Sequence, residues 1–159
     1  MMGRGGNASE VLLFDVAEQR YGIPVVDIVE LIRAVAVTPL PNGPRVTLGV
    51  INLRGRVVPL FDLRLRFGRT APPLEPTDHF VIARAALRIV ALRADHVREL
   101  VTLAEDDIQT TARVVSGTHH VAGIARLPDG VVFLQDLSTF LSEAEAATLD
   151  LAMANGAAS

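Results

Sequence analysis

Histidines and carboxylates are the side chains of this sequence that could hold a metal ion or transfer protons. No two of the four histidines have the i, i+4 spacing that places two imidazoles on one helical face. These histidines are His79, His96, His119 and His120. The chain has no cysteine, which excludes thiolate ligands, thiol nucleophiles and disulfides. The acidic run Glu105-Asp106-Asp107 is typical of a solvated turn. We therefore predict no metal site and no cofactor.

Covalent catalysis and phosphate chemistry also lack their usual motifs. There is no G-x-S-x-G nucleophile elbow and no glycine-rich loop of the kind that cradles phosphates before a helix. No nucleophile, base and orienting partner can be assembled from these residues. The sequence therefore favours a protein that is not an enzyme.

The most organised segment of the chain runs from Gly49 to Leu63. Two apolar runs flank Asn-Leu-Arg-Gly, which predicts a β-hairpin whose turn takes its positive φ from Gly55. Arg54 lies at the tip of this hairpin, where a guanidinium could bind a carboxylate or carbonyl groups of a partner, although a simply solvated arginine is the alternative. Asp62 is placed to cap a short helical turn over residues 63–67.

A second segment, Gly123 to Leu137, repeats the first at an offset of 74 residues without a gap. Seven of fifteen positions are identical, and a weaker echo relates residues 28–31 to 97–100 at an offset of 69. Asp136 occupies the position of Asp62, so a shared role as helix caps is favoured over an acid–base pair. Two convergent hairpins remain the alternative; otherwise the chain is two similar β-halves, back to back.

Further strands and one helix are predicted from the rest of the chain. Apolar runs predict strands at 11–16, 21–23, 80–84, 87–92 and 97–103, with a polar turn at 18–20. A short helical turn from Val25 should lead into a strand through Val37, and prolines exclude regular structure at 39–45 and 69–78. The alternation of Arg64 and Arg66 with apolar residues predicts a solvated side. Ser142 and Glu145 form a capping box for a helix that ends at Ala154.

Composition and net charge argue against several classes of protein. Half of the residues are hydrophobic, the net charge is −3, and no apolar run is long enough to span a bilayer. Residues 1–10 have no apolar segment of a signal peptide, so we expect a cytoplasmic protein. The negative charge and the scarcity of aromatic residues argue against nucleic-acid binding and direct membrane insertion.

The segment from Gly49 to Leu63 resembles the signature of the CheW family of chemotaxis coupling proteins. Asn-Leu-Arg-Gly, Val-Val-Pro-Leu and Asp-Leu-Arg carry the resemblance, and the opening and closing strands extend it over about residues 10–152. The resemblance implies an all-β dominated fold of two packed SH3-like five-stranded β-barrels, with short helices and a C-terminal helix. The expected organisation is a tail at 1–9, one CheW-like domain at 10–154 and a tail at 155–159.

The resemblance also implies a function and its residues. Such proteins are non-catalytic adaptors that link the cytoplasmic hairpins of chemoreceptors to the regulatory domain of the CheA histidine kinase, at membrane-associated receptor arrays. Arg54 matches the motif arginine implicated in coupling, Asn52 and Gly49 match other motif positions, and Ile28 and Glu30 match positions of the groove that a receptor hairpin enters. The alternative is a CheW-like regulatory domain of a larger kinase or receiver-linked protein.

Two departures accompany the resemblance. Pro24 stands where the family more often has an acidic or other non-proline residue. The strand pair around Arg84 to Leu87 lacks an obvious glycine turn, which leaves its register open.

Overall fold

The computed structural model describes residues 8–110 and 121–158, and most of these residues lie in β-strands. The strands are β1 (Ser9–Val16), β2 (Gln19–Pro24), β3 (Ile28–Arg33), β4 (Thr47–Leu53), β5 (Arg56–Phe61), β6 (His79–Ala85), β7 (Arg88–Ala94), β8 (His96–Leu103), β9 (Ile108–Thr110), β10 (Val121–Leu127) and β11 (Gly130–Gln135). The helices are α1 (Leu63–Arg66) and α2 (Glu143–Ala158), with 3-10 turns at Val25–Asp27, Glu105–Asp107 and Leu137–Thr139.

The strands form two sheets of the same design. The first sheet has the order β8-β1-β2-β11-β10-β9, and the second has the order β3-β6-β7-β5-β4. In each sheet one parallel pair joins two antiparallel hairpins: β2 with β11 in the first, and β7 with β5 in the second. The predicted all-β dominated, two-part fold with a C-terminal helix is confirmed. One sheet has six strands instead of five, because β9 pairs with β10, whereas the second sheet has only a single bridge, Thr38 to Val50, in that place.

The repeat at an offset of 74 is visible in the strand bounds and in the pairing. Strands β4 and β5 correspond residue for residue to β10 and β11. Both hairpins have an irregularity in register at the same place, between Thr47 and Gly49 in one and between Val121 and Gly123 in the other. The similarity of the two segments is therefore a similarity of backbone geometry as well as of sequence.

The two sheets are not contiguous halves of the chain. Strands β3 to β7 follow one another along the chain and form the second sheet, whereas the first sheet combines β1 and β2 with β8 to β11. Each half of the sequence thus sends strands into both sheets, because β3 crosses over to pair with β6 and β8 returns to pair with β1. The two sheets are therefore not the two halves of the sequence placed back to back. The strands of the second sheet lie, in sequence, between the two groups of strands that form the first sheet.

Three apolar clusters hold this arrangement together, and alternation along the strands sorts residues between them. On β1, Leu12 and Phe14 face a cluster shared by both sheets, while Val11 and Leu13 face the interior of the first sheet. Strand β6 repeats this division and sends Phe80 and Ile82 into the interior of the second sheet. The shared cluster includes Tyr21, and burial raises the pKa of its hydroxyl to about 12.

Several element boundaries differ from the sequence prediction. Strand β3 ends at Arg33 and not at Val37, because Ala34 bonds to Asp78 and the chain then crosses to β4. The turn between β1 and β2 is Ala17–Glu18, where both residues have positive φ, so Gln19 and Arg20 already belong to β2. Leu87 lies in a turn, after Ala86 with φ 56°, and not in the strand.

The C-terminal helix has the predicted start. The Ser142 hydroxyl accepts from the backbone N–H of Glu145 at 3.1 Å, and the Glu145 carboxylate accepts from the Ser142 N–H at 3.0 Å. Burial opposes the charge of Glu145, but bonds from Arg66 and Ser142 outweigh it and lower the pKa of this carboxyl. The helix continues to Ala158, past the predicted end at Ala154.

Candidate functional site

The tip of the hairpin between β4 and β5 has a fixed backbone conformation. Arg54 and Gly55 have φ values of 53° and 86°, the left-handed pair that a two-residue type I′ turn requires. The Asn52 side-chain oxygen accepts from the Gly55 N–H at 2.7 Å, which holds the turn closed. The glycine therefore has the predicted positive φ, and Arg54 adopts one as well. The side chain of Asn52 thus fixes the backbone of the turn from which the side chain of Arg54 projects.

The Arg54 side chain is held at its other end by Glu30. The Nη2 atom of Arg54 donates to the Glu30 carboxylate, while 69% of the arginine side chain and 29% of the glutamate side chain stay exposed. Glu30 lies on β3 and Arg54 follows β4, and these two strands are the opposite edges of the second sheet. The ion pair therefore connects the two edge strands, β3 and β4, of a curled sheet. The guanidinium of Arg54 lies exposed where these two edges meet.

Gly49 supports this hairpin from within. A Cβ atom at this position would lie 2.3 Å from the carbonyl oxygen of Thr38 and 2.8 Å from Cγ1 of Val37. Only glycine allows the chain after β3 to approach β4 so closely, and Thr38 and Val50 then exchange backbone hydrogen bonds of 2.9 and 2.7 Å. Gly49 is buried, so it acts on the surface only through the backbone.

Ile28 and the outer face of β3 add an apolar component next to the ion pair. Ile28 is half-buried and packs against the shared cluster. Val29 and Leu31 point to the other side of the strand, with 45% and 43% of their surface exposed. Sequence reasoning singled out Ile28 and Glu30 but not these two neighbours, although the alternation of burial along β3 could have been read from the period of two.

We refer to Ile28, Glu30, Gly49, Asn52 and Arg54 as the hairpin site. The structure brings Glu30 and Arg54 into direct contact, and it places Asn52 and Gly49 beneath them as supports. Ile28 lies on the strand of Glu30 and joins the site to the shared cluster. Together they form an exposed charged group on a rigid turn, beside apolar strand residues. Such a surface suits binding of another protein.

A buried ionic cluster lies behind this hairpin, where the sequence predicted only a helix cap. The Asp62 carboxylate accepts from the backbone N–H of Arg64 at 2.9 Å and thereby caps α1. It also pairs with the guanidinium of Arg64 at 2.8 Å and with that of Arg93 at 3.4 Å. All three side chains are buried. Arg64, predicted to lie on a solvated side, is only 6% exposed, because Asp62 and Asp95 surround its charge.

Further contacts connect this cluster to both sheets. Arg93 also pairs with Asp78 at 2.9 Å and donates to the carbonyl groups of Pro72 and Pro73, which fixes the proline-rich loop. Burial opposes the charge of Asp95, but bonds from the Ala17 N–H and from Arg64 outweigh it and lower the pKa of this carboxyl. These partners are far apart in sequence, so no local pattern could have revealed the cluster.

Asp136, the counterpart of Asp62, has a simpler environment. Its carboxylate accepts from the backbone N–H of Ser138 at 3.0 Å and from the Ser138 hydroxyl at 2.6 Å, at the start of a 3-10 turn. It is half-buried and, within residues 8–110 and 121–158, forms no ion pair with an arginine. The two aspartates therefore share a cap geometry but differ in their electrostatic surroundings.

The chemistry available at the surface is that of charge pairing. A cavity of about 900 Å³ is lined mainly by polar and charged residues, among which Arg20 pairs with Asp129 and Arg98 pairs with Asp15. In the part of the chain that the structure describes, no three His, Asp or Glu side chains are grouped closely enough for a metal ion. No helix there is long and apolar enough to cross a membrane. His119 and His120 lie outside the described residues.

Comparisons with known proteins agree with this fold. A family model described as "CheW-like domain" matches residues 10–145. The chemotaxis protein CheW of Rhizobium meliloti is 34% identical over 139 residues, which cover 84% of this chain and 88% of that protein. The CheW of Helicobacter pylori is 28% identical over 131 residues, 82% of this chain and 79% of that protein. The crystal structure of the scaffolding protein TtCheW from Thermoanaerobacter tengcongensis matches with a TM-score of 0.73 and 28% identity, over 81% of this chain and 89% of that one.

Proposed function

Because this chain belongs to the CheW family of chemotaxis proteins, we propose that it is a non-catalytic adaptor which links chemoreceptor cytoplasmic hairpins to the CheA histidine kinase. The relatives carry the names of a chemotaxis protein and a scaffolding protein, and these names support an adaptor over an enzyme. They also support it over the alternative, a regulatory domain of a larger kinase. In this function the protein works in the cytoplasm and is recruited to membrane-associated receptor arrays.

The observation that carries this proposal is the hairpin site. An arginine that is 69% exposed stands on a turn fixed by Asn52, and its guanidinium is oriented by Glu30 on β3, the opposite edge strand of the sheet. A preorganised guanidinium loses little conformational entropy when it binds carboxylate or carbonyl groups. Val29 and Leu31, on the opposite face of β3 from Glu30, are exposed and suit the apolar face of a helical partner.

We expect Arg54→Ala to weaken binding without unfolding the protein. The Arg54–Glu30 pair is exposed, so its loss should change the free energy of unfolding by less than about 1 kcal/mol. Binding to receptor hairpin fragments or to the kinase should fall, and co-sedimentation with each partner measures this directly. Arg126→Ala is the matched control, since Arg126 is an exposed arginine on the corresponding hairpin of the first sheet.

The comparison of the two variants distinguishes a specific contact made by Arg54 from a general effect of positive surface charge. If Arg54→Ala folds and binds both partners as the parent does, the hairpin site is not the coupling surface. If Arg126→Ala loses as much binding as Arg54→Ala, the effect is one of general charge. A decrease specific to Arg54→Ala, with unchanged thermal unfolding, supports the proposal.

If this protein bridges two partners, kinase activity should pass through a maximum as the concentration of the protein increases. Below the optimum, receptors and kinase remain unlinked; in large excess, each is occupied by a separate copy and the ternary complex is diluted by mass action. Kinase autophosphorylation at fixed receptor and kinase should therefore rise, pass a maximum near matched stoichiometry and decline. An enzyme or a simple activator would saturate instead, so a plateau that persists to large molar excess contradicts bridging.

A further inference from the structure

The strands β3 and β8 hold the same position in their two sheets. Each is an edge strand, its pairing with the next strand matches the other at an offset of 69 residues, and both pairings have a register irregularity at the same place. In both strands a glutamate alternates with half-buried aliphatic residues: Glu30 in β3 and Glu99 in β8. Glu99 is therefore the counterpart of the glutamate that binds Arg54.

The first sheet lacks the arginine that this glutamate would bind. The turn between β10 and β11 corresponds to the turn between β4 and β5, and Pro128 stands at the position of Arg54. Proline has no charged group, and its ring excludes the positive φ that Arg54 adopts. Glu99 is exposed, and in the part of the chain that the structure describes it forms no hydrogen bond or ion pair.

A pocket of about 290 Å³ lies beside Glu99 and Pro128. The apolar part of its lining is Leu13, Val101 and Leu127, which pack together in the interior of the first sheet. The corresponding residues of the second sheet form the interior cluster beneath the Arg54–Glu30 pair. An aliphatic surface next to a carboxylate suits the alkyl stem and the charged end of an arginine side chain.

The other charges around this pocket already have partners. Arg20 donates to Asp129 at 3.0 Å, and the Nε atom of Arg98 donates to Asp15 at 2.7 Å. Arg98 precedes Glu99 in the chain but forms no ion pair with it within residues 8–110 and 121–158. One negative charge of the pocket is therefore uncompensated, which favours a cation as the group that enters it.

We propose that this pocket binds an arginine side chain which a partner protein presents on an exposed turn. The second sheet contains the same contact within one molecule, since Arg54 reaches Glu30 from the tip of a hairpin. A guanidinium suits the site better than an ammonium, because its planar fork of donors matches a carboxylate. The pocket belongs to the first sheet, so this inference goes beyond the function proposed for the hairpin site and does not depend on it.

A peptide titration of the whole chain, followed by NMR, tests the site. The blocked peptide acetyl-Leu-Arg-Gly-amide should shift the methyl resonances of Val101 and Leu127 in a saturable way. The same peptide with citrulline in place of arginine is nearly isosteric but neutral, and it should bind about tenfold more weakly or less. Equal binding of the two peptides, or no shift at these two residues, overturns the proposal.

Substitution of Glu99 tests which carboxylate recognises the peptide. Glu99→Gln keeps the size of the side chain and removes its charge, so the affinity for the arginine peptide should fall by about tenfold or more. Glu75→Gln is the control, since Glu75 is exposed but does not line the pocket, and this variant should bind as the parent does. Circular dichroism verifies that both variants are folded. A folded Glu99→Gln variant with the affinity of the parent contradicts the assignment.

Arg54→Ala tests the correspondence between the two sheets. This variant leaves Glu30 without its guanidinium, so the peptide should bind at a second place and also shift the resonances of Ile32 and Leu53. If no second site appears in the folded variant, the two turns are not equivalent and the basis of the proposal is removed. If the resonances of the first site change with protein concentration in the absence of peptide, a second copy of the chain occupies the pocket, which overturns the assignment to a separate partner.

Discussion

Replacing Asp62 by alanine should lower the free energy of unfolding by about 3 kcal/mol, because one change removes a helix cap and two buried ion pairs. The same change at Asp136 should cost only about 1 kcal/mol, the usual value of a cap. The two aspartates hold the same position in the repeat, so each variant is the control of the other. The sequence alone predicted equal effects, and the burial of Arg64 and Arg93 is the reason to expect a difference.

Urea unfolding at neutral pH measures both losses, provided that the slope of the transition does not change. Asp62→Asn separates the two contributions, because the amide oxygen can still accept from the Arg64 N–H while the charge is absent. This variant should lie between the parent and Asp62→Ala. Equal losses in the alanine variants of Asp62 and Asp136 would mean that the buried ion pairs contribute no net stability.

Gly49→Ala should have an effect of similar size by a different mechanism. A methyl group there would overlap the Thr38 carbonyl oxygen, and this oxygen cannot move away without breaking the bridge between Thr38 and Val50. Overpacking of this kind costs about 3 kcal/mol. Displacement of β4 should also disturb the turn that carries Arg54, so the folded fraction of this variant should bind its partners more weakly.

Two other glycines give matched comparisons for Gly49. At Gly123, the corresponding position of the first sheet, a Cβ would lie 2.8 Å from the Gln109 carbonyl oxygen, so Gly123→Ala should be damaging as well. Gly55 has open space around it, and Gly55→Ala should cost only about 1 kcal/mol for its positive φ. If thermal unfolding shows equal losses for Gly49→Ala and Gly55→Ala, close packing at Gly49 is not the cause.

Local features of the sequence were sufficient to predict the central hairpin. Asn-Leu-Arg-Gly encodes a two-residue turn through the conformational freedom of Gly55 and the side-chain bond of Asn52, and both act within four residues. The cap at Asp62 and the capping box at Ser142 are equally local. The repeat at an offset of 74 could be recognised because the same short-range geometry was encoded twice.

Long-range contacts could not be predicted in this way. Arg64 alternates with apolar residues and looked solvated, yet Asp95, which neutralises it, comes from a different part of the chain. The pairing of β2 with β11 and of β7 with β5 depends on the fit of whole hairpins, and no single residue pattern encodes it. The contact between Glu30 and Arg54 likewise follows from the curling of a sheet and not from spacing.

The interleaving of the two sheets determines the order in which the molecule can assemble during synthesis. Strands β3 to β7 are made in succession, so the second sheet has all its members as soon as Ala94 has left the ribosome. Strand β2 has to wait for β11, since Tyr21 pairs with Phe133. Strand β1 gains its partner β8 earlier, but until β11 is made the β2 edge stays unpaired and the shared cluster lacks its C-terminal members. Completion of the first sheet is therefore a late event in biogenesis, with a high contact order and exposed strand edges beforehand.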